Sequence, residues 1–253
     1  MVYIMRSMKG KYFILLAVLF VLVPLRFSPA ADVTVWSEDV QALVAKMIAA
    51  GGGERKIEEI SELQMSGDIT AIMRQDKGSY EVTFKRPRKL RVETKYARST
   101  ETRILNGTTG YRGTDTSPLA QVADARYLAM VYQYKHLDLL YGLLHRQYSV
   151  GKIETMDMGG MSVMVLHLTD QEGPAMNVAV DASTFLIVKV SGLFPVAGNR
   201  MTALASDFSD YREVAGLKLP FRIVNYAGGQ KIAETRIRDY LLNPAIQDRV
   251  FAP

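Results

Sequence analysis

The sequence predicts a mainly β fold with helices (α+β), a curled antiparallel half-barrel of about 10–11 strands covered by a helical lid. Three observations predict it. From Glu62 onward the chain falls into short runs of alternating apolar and polar residues separated by hairpin-type turns. Helical periodicity is confined to Asp39–Ala50 and to a stretch from Pro118 to Tyr148. A sheet this large rarely stays flat, so it curls or closes, and the second helical stretch falls where it can cover the concave face.

Residues 1–30 read as a secretory leader. Arg6, Lys9 and Lys11 form a basic start, Tyr12 to Leu25 is an apolar run, and Ser28-Pro29-Ala30 supplies small residues for cleavage. The run is short for a membrane span, so cleavage near Ala30 is expected; Arg26 leaves an uncleaved anchor as the alternative. Of the 31 Lys and Arg, four lie in this segment and no Asp or Glu does, which leaves 27 basic against 26 acidic side chains, a net +1. That balance excludes a global nucleic-acid footprint. There is no cysteine, hence no disulfide and no acylated cysteine, and residues 31–253 are enough to bury a core as a single domain without staples.

In chain order, Val40, Leu43, Val44, Met47 and Ile48 make one helical face after a Ser37 cap, and Gly51-Gly52-Gly53 ends it. Glu54 to Ile60 adds a short helical turn. Strands follow at Leu63–Ile72, Ser79–Lys85, Lys89–Tyr96 and Glu101–Leu105, with a turn at Gln75-Asp76-Lys77-Gly78. Asn106-Gly107 is a tight hairpin signal leading into Thr108–Arg112. Leu119, Val122, Leu128, Val131, Leu137, Leu140, Leu143 and Leu144 then fit one or two helices, broken near Gln133–His136 and dense in tyrosine. Strand signals resume at Lys152–Met158 and continue through Ser162–Thr169, Ala175–Val180, Phe185–Val190, Met201–Tyr211, Phe221–Tyr226 and Lys231–Tyr240.

No catalytic set emerges. His136 and His145 lack metal-ligand spacing, His167 reads as a structural strand residue, and neither a nucleophile elbow nor a phosphate loop is present. No cofactor or metal is expected. In Tyr80–Tyr96 the even positions Tyr80, Val82, Phe84, Leu90 and Val92 form an apolar face, into which Arg86 and Arg88 intrude beside Pro87. Thirteen methionines, among them Met65, Met73, Met130, Met156, Met158, Met161, Met164, Met176 and Met201, add flexible apolar filling.

The order of leader, helix, Gly-Gly, a strand ending in Lys85-Arg86-Pro87, Leu90-Arg91-Val92-Glu93 and the hairpin Asn106-Gly107-Thr108-Thr109-Gly110-Tyr111 resembles the LolA-type outer-membrane lipoprotein carriers. The tail, with Ser209-Asp210-Tyr211-Arg212, Gly216, Leu219-Pro220, Asn243, Phe251 and Pro253, resembles a broader LolA-like group. Tyr111 stands where the family often has tryptophan. The resemblance implies a periplasmic, monomeric, non-enzymatic carrier. It would bind acyl chains of lipoproteins or lipids between an inner-membrane donor and an outer-membrane acceptor. Relatives that sense rather than carry make a lipoprotein-sensing regulatory module the alternative. The family's arginine that ties the lid through helix carbonyls falls on Arg86, the expected lid gate. Strand parity puts Tyr80, Val82, Phe84, Leu90, Val92 and Ile104 on the expected cavity wall, Met164 and Leu166 on its second half, and Leu128, Leu137, Leu140 and Leu144 on the lid. Arg88 is left at the rim without a role.

Overall fold

Alternation of apolar and polar residues organises most of the chain into two strand meanders. The computed structural model describes residues 36–172, 174–196 and 200–253; the expected leader and its cleavage point lie outside these residues. The first meander runs through β1 (Glu62–Ala71), β2 (Asp76–Lys85), β3 (Lys89–Tyr96), β4 (Thr100–Asn106), β5 (Thr109–Thr114) and β6 (Ser117–Val122). The second runs through β7 (Ser149–Val150), β8 (Glu154–Met158), β9 (Met161–Thr169), β10 (Met176–Asp181), β11 (Ile187–Val196), β12 (Arg200–Val214), β13 (Leu217–Ala227) and β14 (Gln230–Leu242). β1 pairs antiparallel with β14, so the two meanders form one open 14-stranded sheet with β6 at one edge and β7 and β8 against β9 at the other.

The strand count exceeds the expected one partly because β6 and the two-residue β7 carry no alternation. β6 also corrects the helical reading of residues 118–122. The turn expected at Gln75–Gly78 sits earlier, at 72–75, where Gln75 N–H reaches Ile72 O at 3.3 Å. Gly78 is a strand residue instead. A Cβ there would stand 2.2 Å from the Lys95 carbonyl oxygen, so the missing side chain serves close strand approach. The Asn106-Gly107 hairpin forms as expected, with Asn106 opposite Thr109 and Gly107 at φ 59°.

Helix α1 (Glu38–Gly51) buries Val40, Leu43, Val44 and Met47, the stripe its periodicity demands. Ser37 occupies the cap position, but its hydroxyl makes no capping bond. Gly52, at φ 128°, ends the helix where a Cβ would meet the Gly216 carbonyl at 2.4 Å. Helix α2 (Glu54–Glu59) follows at once.

Helix α3 (Asp124–Leu144) is a single unbroken element rather than two. Its polar centre looked like a break because polar residues there face inward. Lys135 Nζ meets Asp170 at 2.5 Å, and Asp138 is buried against Arg86. α3 lies over the sheet between two packed shoulders. On one side α1 and α3 pack on β9–β11 through Leu43, Met47, Leu139, Leu143, Leu166 and Val178. On the other, Met130, Val131 and Tyr134 of α3 pack on Val82, Phe84, Leu90 and Val92. A third cluster lies elsewhere, where Ile246 and Phe251 of the C-terminal segment cover Ile104.

Candidate functional site

Between the two shoulders the sheet and α3 meet through side chains such as Gln133 on Tyr80 and His136 on Phe208, and a cavity of about 670 Å³ remains around them. Its floor is the middle of the sheet, with Leu63, Met65 and Ile69 from β1, Phe208 and Tyr211 from β12, Ile223 from β13 and Tyr240 from β14. Its roof is the stripe Ala129, Tyr132, Gln133, His136, Leu137, Leu140 and Tyr141 of α3, spaced by helical turns. Met47 and Gly51 of α1 with Ile57 and Ile60 close one side. The wall is mostly apolar, with a few hydrogen-bonding groups.

At the rim, Arg86 joins three elements. Its Nε lies 2.5 Å from Asp138 Oδ1 on α3, and its Nη1 donates to the carbonyls of Ile57, at 3.3 Å, and Ile60, at the C-terminal end of α2. Those are the carbonyls a helix end leaves without intrahelical partners. The guanidinium also sits 3.6 Å from the centre of the Tyr141 ring. Burial pushes the Asp138 carboxyl above its usual range, and the Arg86 charge beside it opposes that shift. Asp138 also accepts from the Tyr134 phenol at 3.0 Å.

A second clasp, for which the sequence offered no role, lies two residues on. Arg88, at φ 58°, forms a bidentate pair with Glu172 in the β9–β10 loop, and donates to Tyr127 Oη at 2.8 Å and Gly107 O at 2.5 Å. Tyr127 donates to Glu172 Oε1 at 3.0 Å. Lys135 adds bonds to Asp170 and the Glu172 carbonyl. The β2–β3 turn of the first meander is thus tied to a loop of the second, across α3.

Of the residues expected at the site, Tyr80, Leu137, Leu140 and Arg86 line the cavity. Val82, Phe84, Leu90 and Val92 share the concave side but lie packed beneath α3, where the Phe84 and Tyr134 rings stack at 5.1 Å. Leu128, Met164 and Leu166 belong to the β9–β11 shoulder, and Leu144 borders a shallow surface pocket beside α1. Ile104 is a correction. Leu105 pairs with inward Leu90, so its neighbour Ile104 points to the opposite face, under Phe251. Among the methionines, Met47 and Met65 line the cavity from buried positions, Met73 borders it but is itself exposed, and Met156, Met161 and Met201 are exposed.

The floor residues of β12–β14 were missed because these strands do not keep one alternation from end to end. Phe208 pairs with Ile223, but Asp210, at φ 56°, is skipped before Tyr211 pairs with Pro220. The register with β13 does not shift across this point; the left-handed backbone at Asp210 interrupts the alternation instead, and both Phe208 and Tyr211 line the cavity. Among the described residues no group of three or more His, Cys, Asp or Glu is placed to hold a metal.

No protein-family model and no curated protein matches the sequence. Solved structures do match in three dimensions. A LolA superfamily protein from Nitrosomonas europaea aligns at TM-score 0.54 and 15% identity, covering 85% of this chain and 97% of that one. A DUF1329 family protein from Desulfovibrio piger aligns at TM-score 0.54 and 10% identity, covering 85% and 98%. A domain from Vibrio parahaemolyticus described as an outer membrane lipoprotein-sorting protein aligns at TM-score 0.52 and 10% identity, covering 83% and 95%.

Proposed function

We propose, from the premise that this chain has the LolA-like curled half-barrel fold with a helical lid, that it is an exported periplasmic carrier of acyl chains. It takes up the chains of lipoproteins or lipids in its cavity and moves them toward the outer membrane, between a membrane donor and a membrane acceptor. The observation that carries this reading is the cavity of about 670 Å³ between the sheet and α3, with Arg86 fastening its roof. Its size falls within the range of small-molecule sites. Ten buried methylenes would contribute on the order of 8 kcal/mol before the cost of ordering the ligand. The description of the Vibrio relative supports lipoprotein as the cargo class.

Uptake follows from the geometry. Between the shoulders a chain entering the cavity would part the Gln133–Tyr80 and His136–Phe208 contacts and leave the packed shoulders in place. Release of Arg86 from Asp138 and from the α2 carbonyls would free the roof at its rim. No bond is made or broken in the cargo.

The test is mass spectrometry of lipids extracted from protein purified from its own periplasm. Acyl lipid in near-equal amount to protein is the expected result. Protein that holds no lipid and fails to take up a fluorescent fatty acid would overturn the reading. Stable co-purification of an inner-membrane signalling protein with lipid-free chain would favour a regulatory module instead.

A further inference from the structure

His136 sits in the cavity roof, and its Nε2 is buried without a hydrogen-bond partner, alone in this among the described side chains. Buried polar groups are nearly always paired, so one that is not asks for an explanation. Its ring lies edge-on to Tyr132, centres 4.0 Å apart, and to Phe208, 5.6 Å apart. Phenylalanine or leucine would fill such an aromatic slot and leave nothing unpaired. Burial holds the imidazole neutral, driving its pKa down to about 3, so it keeps one N–H donor.

The floor opposite carries the complementary feature. Tyr132, one turn before His136, donates to the Val190 carbonyl at 2.9 Å, and Val190 pairs across the strands with Ser206, two residues from Phe208 on the same strand. Ser206 pairs with Asn225 on β13, and its hydroxyl donates to Asn225 Oδ1 at 2.8 Å. The Asn225 amide nitrogen is left to donate. Both residues line the cavity. His136 above Phe208, with Ser206 two residues along the same strand and Asn225 beside it, thus forms a small uncharged polar station, apart in sequence from the charged lining residues Arg74, Arg86, Glu101, Arg103 and Lys218. An anion placed there would be buried with no cation among these three groups, whereas a neutral carbonyl oxygen would be matched.

We propose that this station receives the carbonyl of an acyl ester, so that the cavity recognises ester-linked lipid rather than hydrocarbon alone. This rests on the carrier reading and specifies its ligand. The binding free energy gained at the station comes from one or two neutral hydrogen bonds to a carbonyl that would otherwise be desolvated unpaired.

The experiment compares two lysophospholipids with the same headgroup and chain length, one with an ester-linked and one with an ether-linked chain, as competitors of a fluorescent fatty acid. The full-length mature protein should prefer the ester by about tenfold, the size of one net hydrogen bond. In His136→Phe and separately in Asn225→Leu that preference should fall toward one, with thermal melts confirming that both variants fold. Equal affinity for the two lipids in the unaltered protein overturns the station, and so does a preference that persists in both folded variants. If the probe does not bind, and neither lipid binds when titrated directly, the carrier reading is overturned as well.

Discussion

Arg86 Nε lies 2.5 Å from Asp138 Oδ1, and this contact pins the cover helix to the β2–β3 turn at the rim of the cavity. Both side chains are nearly sealed from water, at 13% and 10% exposure, which places the pair among buried rather than surface ion pairs. Tyr134 extends it: its phenol accepts from the Arg88 backbone N–H at 2.9 Å and donates to Asp138 at 3.0 Å. Tyr134 thus links the Arg86–Asp138 pair to the backbone of Arg88, whose guanidinium makes its own pair with Glu172.

Removing Arg86 leaves Asp138 buried and the α2 carbonyls without their donor. Arg86→Leu should cost about 3–5 kcal/mol in unfolding free energy, as expected for a buried pair losing one partner. Adding Asp138→Leu should recover part of that loss, because the stranded charge goes too. Stopped-flow uptake and release of a fluorescent fatty acid should both accelerate in Arg86→Leu. Unchanged rates would mean that Arg86 is structural and not a gate.

The Arg88–Glu172 pair is more open, with Glu172 at 36% exposure, and screening limits its worth. Glu172→Gln should therefore lower stability by only about 1 kcal/mol. Its local effect should be larger. Hydrogen exchange should quicken in residues 168–172 and in the first turns of α3, where Tyr127 and Lys135 bind the same loop. A uniform change across the sheet would contradict a local clasp.

How much of this was legible in the sequence depended on where side-chain parity is kept. β2 and β3 keep strict alternation, which puts Tyr80, Val82, Phe84, Leu90 and Val92 on one face and makes all five expected cavity wall, whereas only Tyr80 lines the cavity. Whether they face space or the cover helix is a tertiary matter, settled by Tyr134 stacking on Phe84. β12 loses its alternation at Asp210, and the floor residue Tyr211 went unseen. Gln133–His136 reads as a break because the partners of Gln133 and Lys135, Tyr80 and Asp170, lie far away in sequence. Arg86 stood out through the resemblance carried by Lys85-Arg86-Pro87, whereas the partner of Arg88, 84 residues away, left no local signal.

Ile104 separates wall from scaffold. It is fully buried, but on the face covered by Ile246 and Phe251. Ile104→Ala should destabilise by about 2–5 kcal/mol through the void it leaves. Lipid affinity, measured by probe titration well below the melting temperature, should stay as it was. A marked affinity loss in folded Ile104→Ala would show that the covered outer face communicates with the cavity.

His136 also sets an acid limit on stability. Its folded pKa is lowered from an ordinary 6.5 to about 3 by burial. Above pH 6.5 the ring is neutral folded or unfolded, so it adds no pH dependence there. As pH falls from 6.5 toward 3, the unfolded chain binds a proton that the folded chain refuses, and stability drops by up to about 1.4 kcal/mol per pH unit. His136→Phe removes that proton-binding site from the unfolded chain. The difference in urea unfolding free energy between the two proteins should therefore be flat from pH 8 to 7 and then shift in favour of the variant between pH 6 and 4.5, before most carboxylates titrate. Parallel pH curves through that interval would show that the imidazole accepts a proton in the folded protein, and so that water reaches it in the cavity.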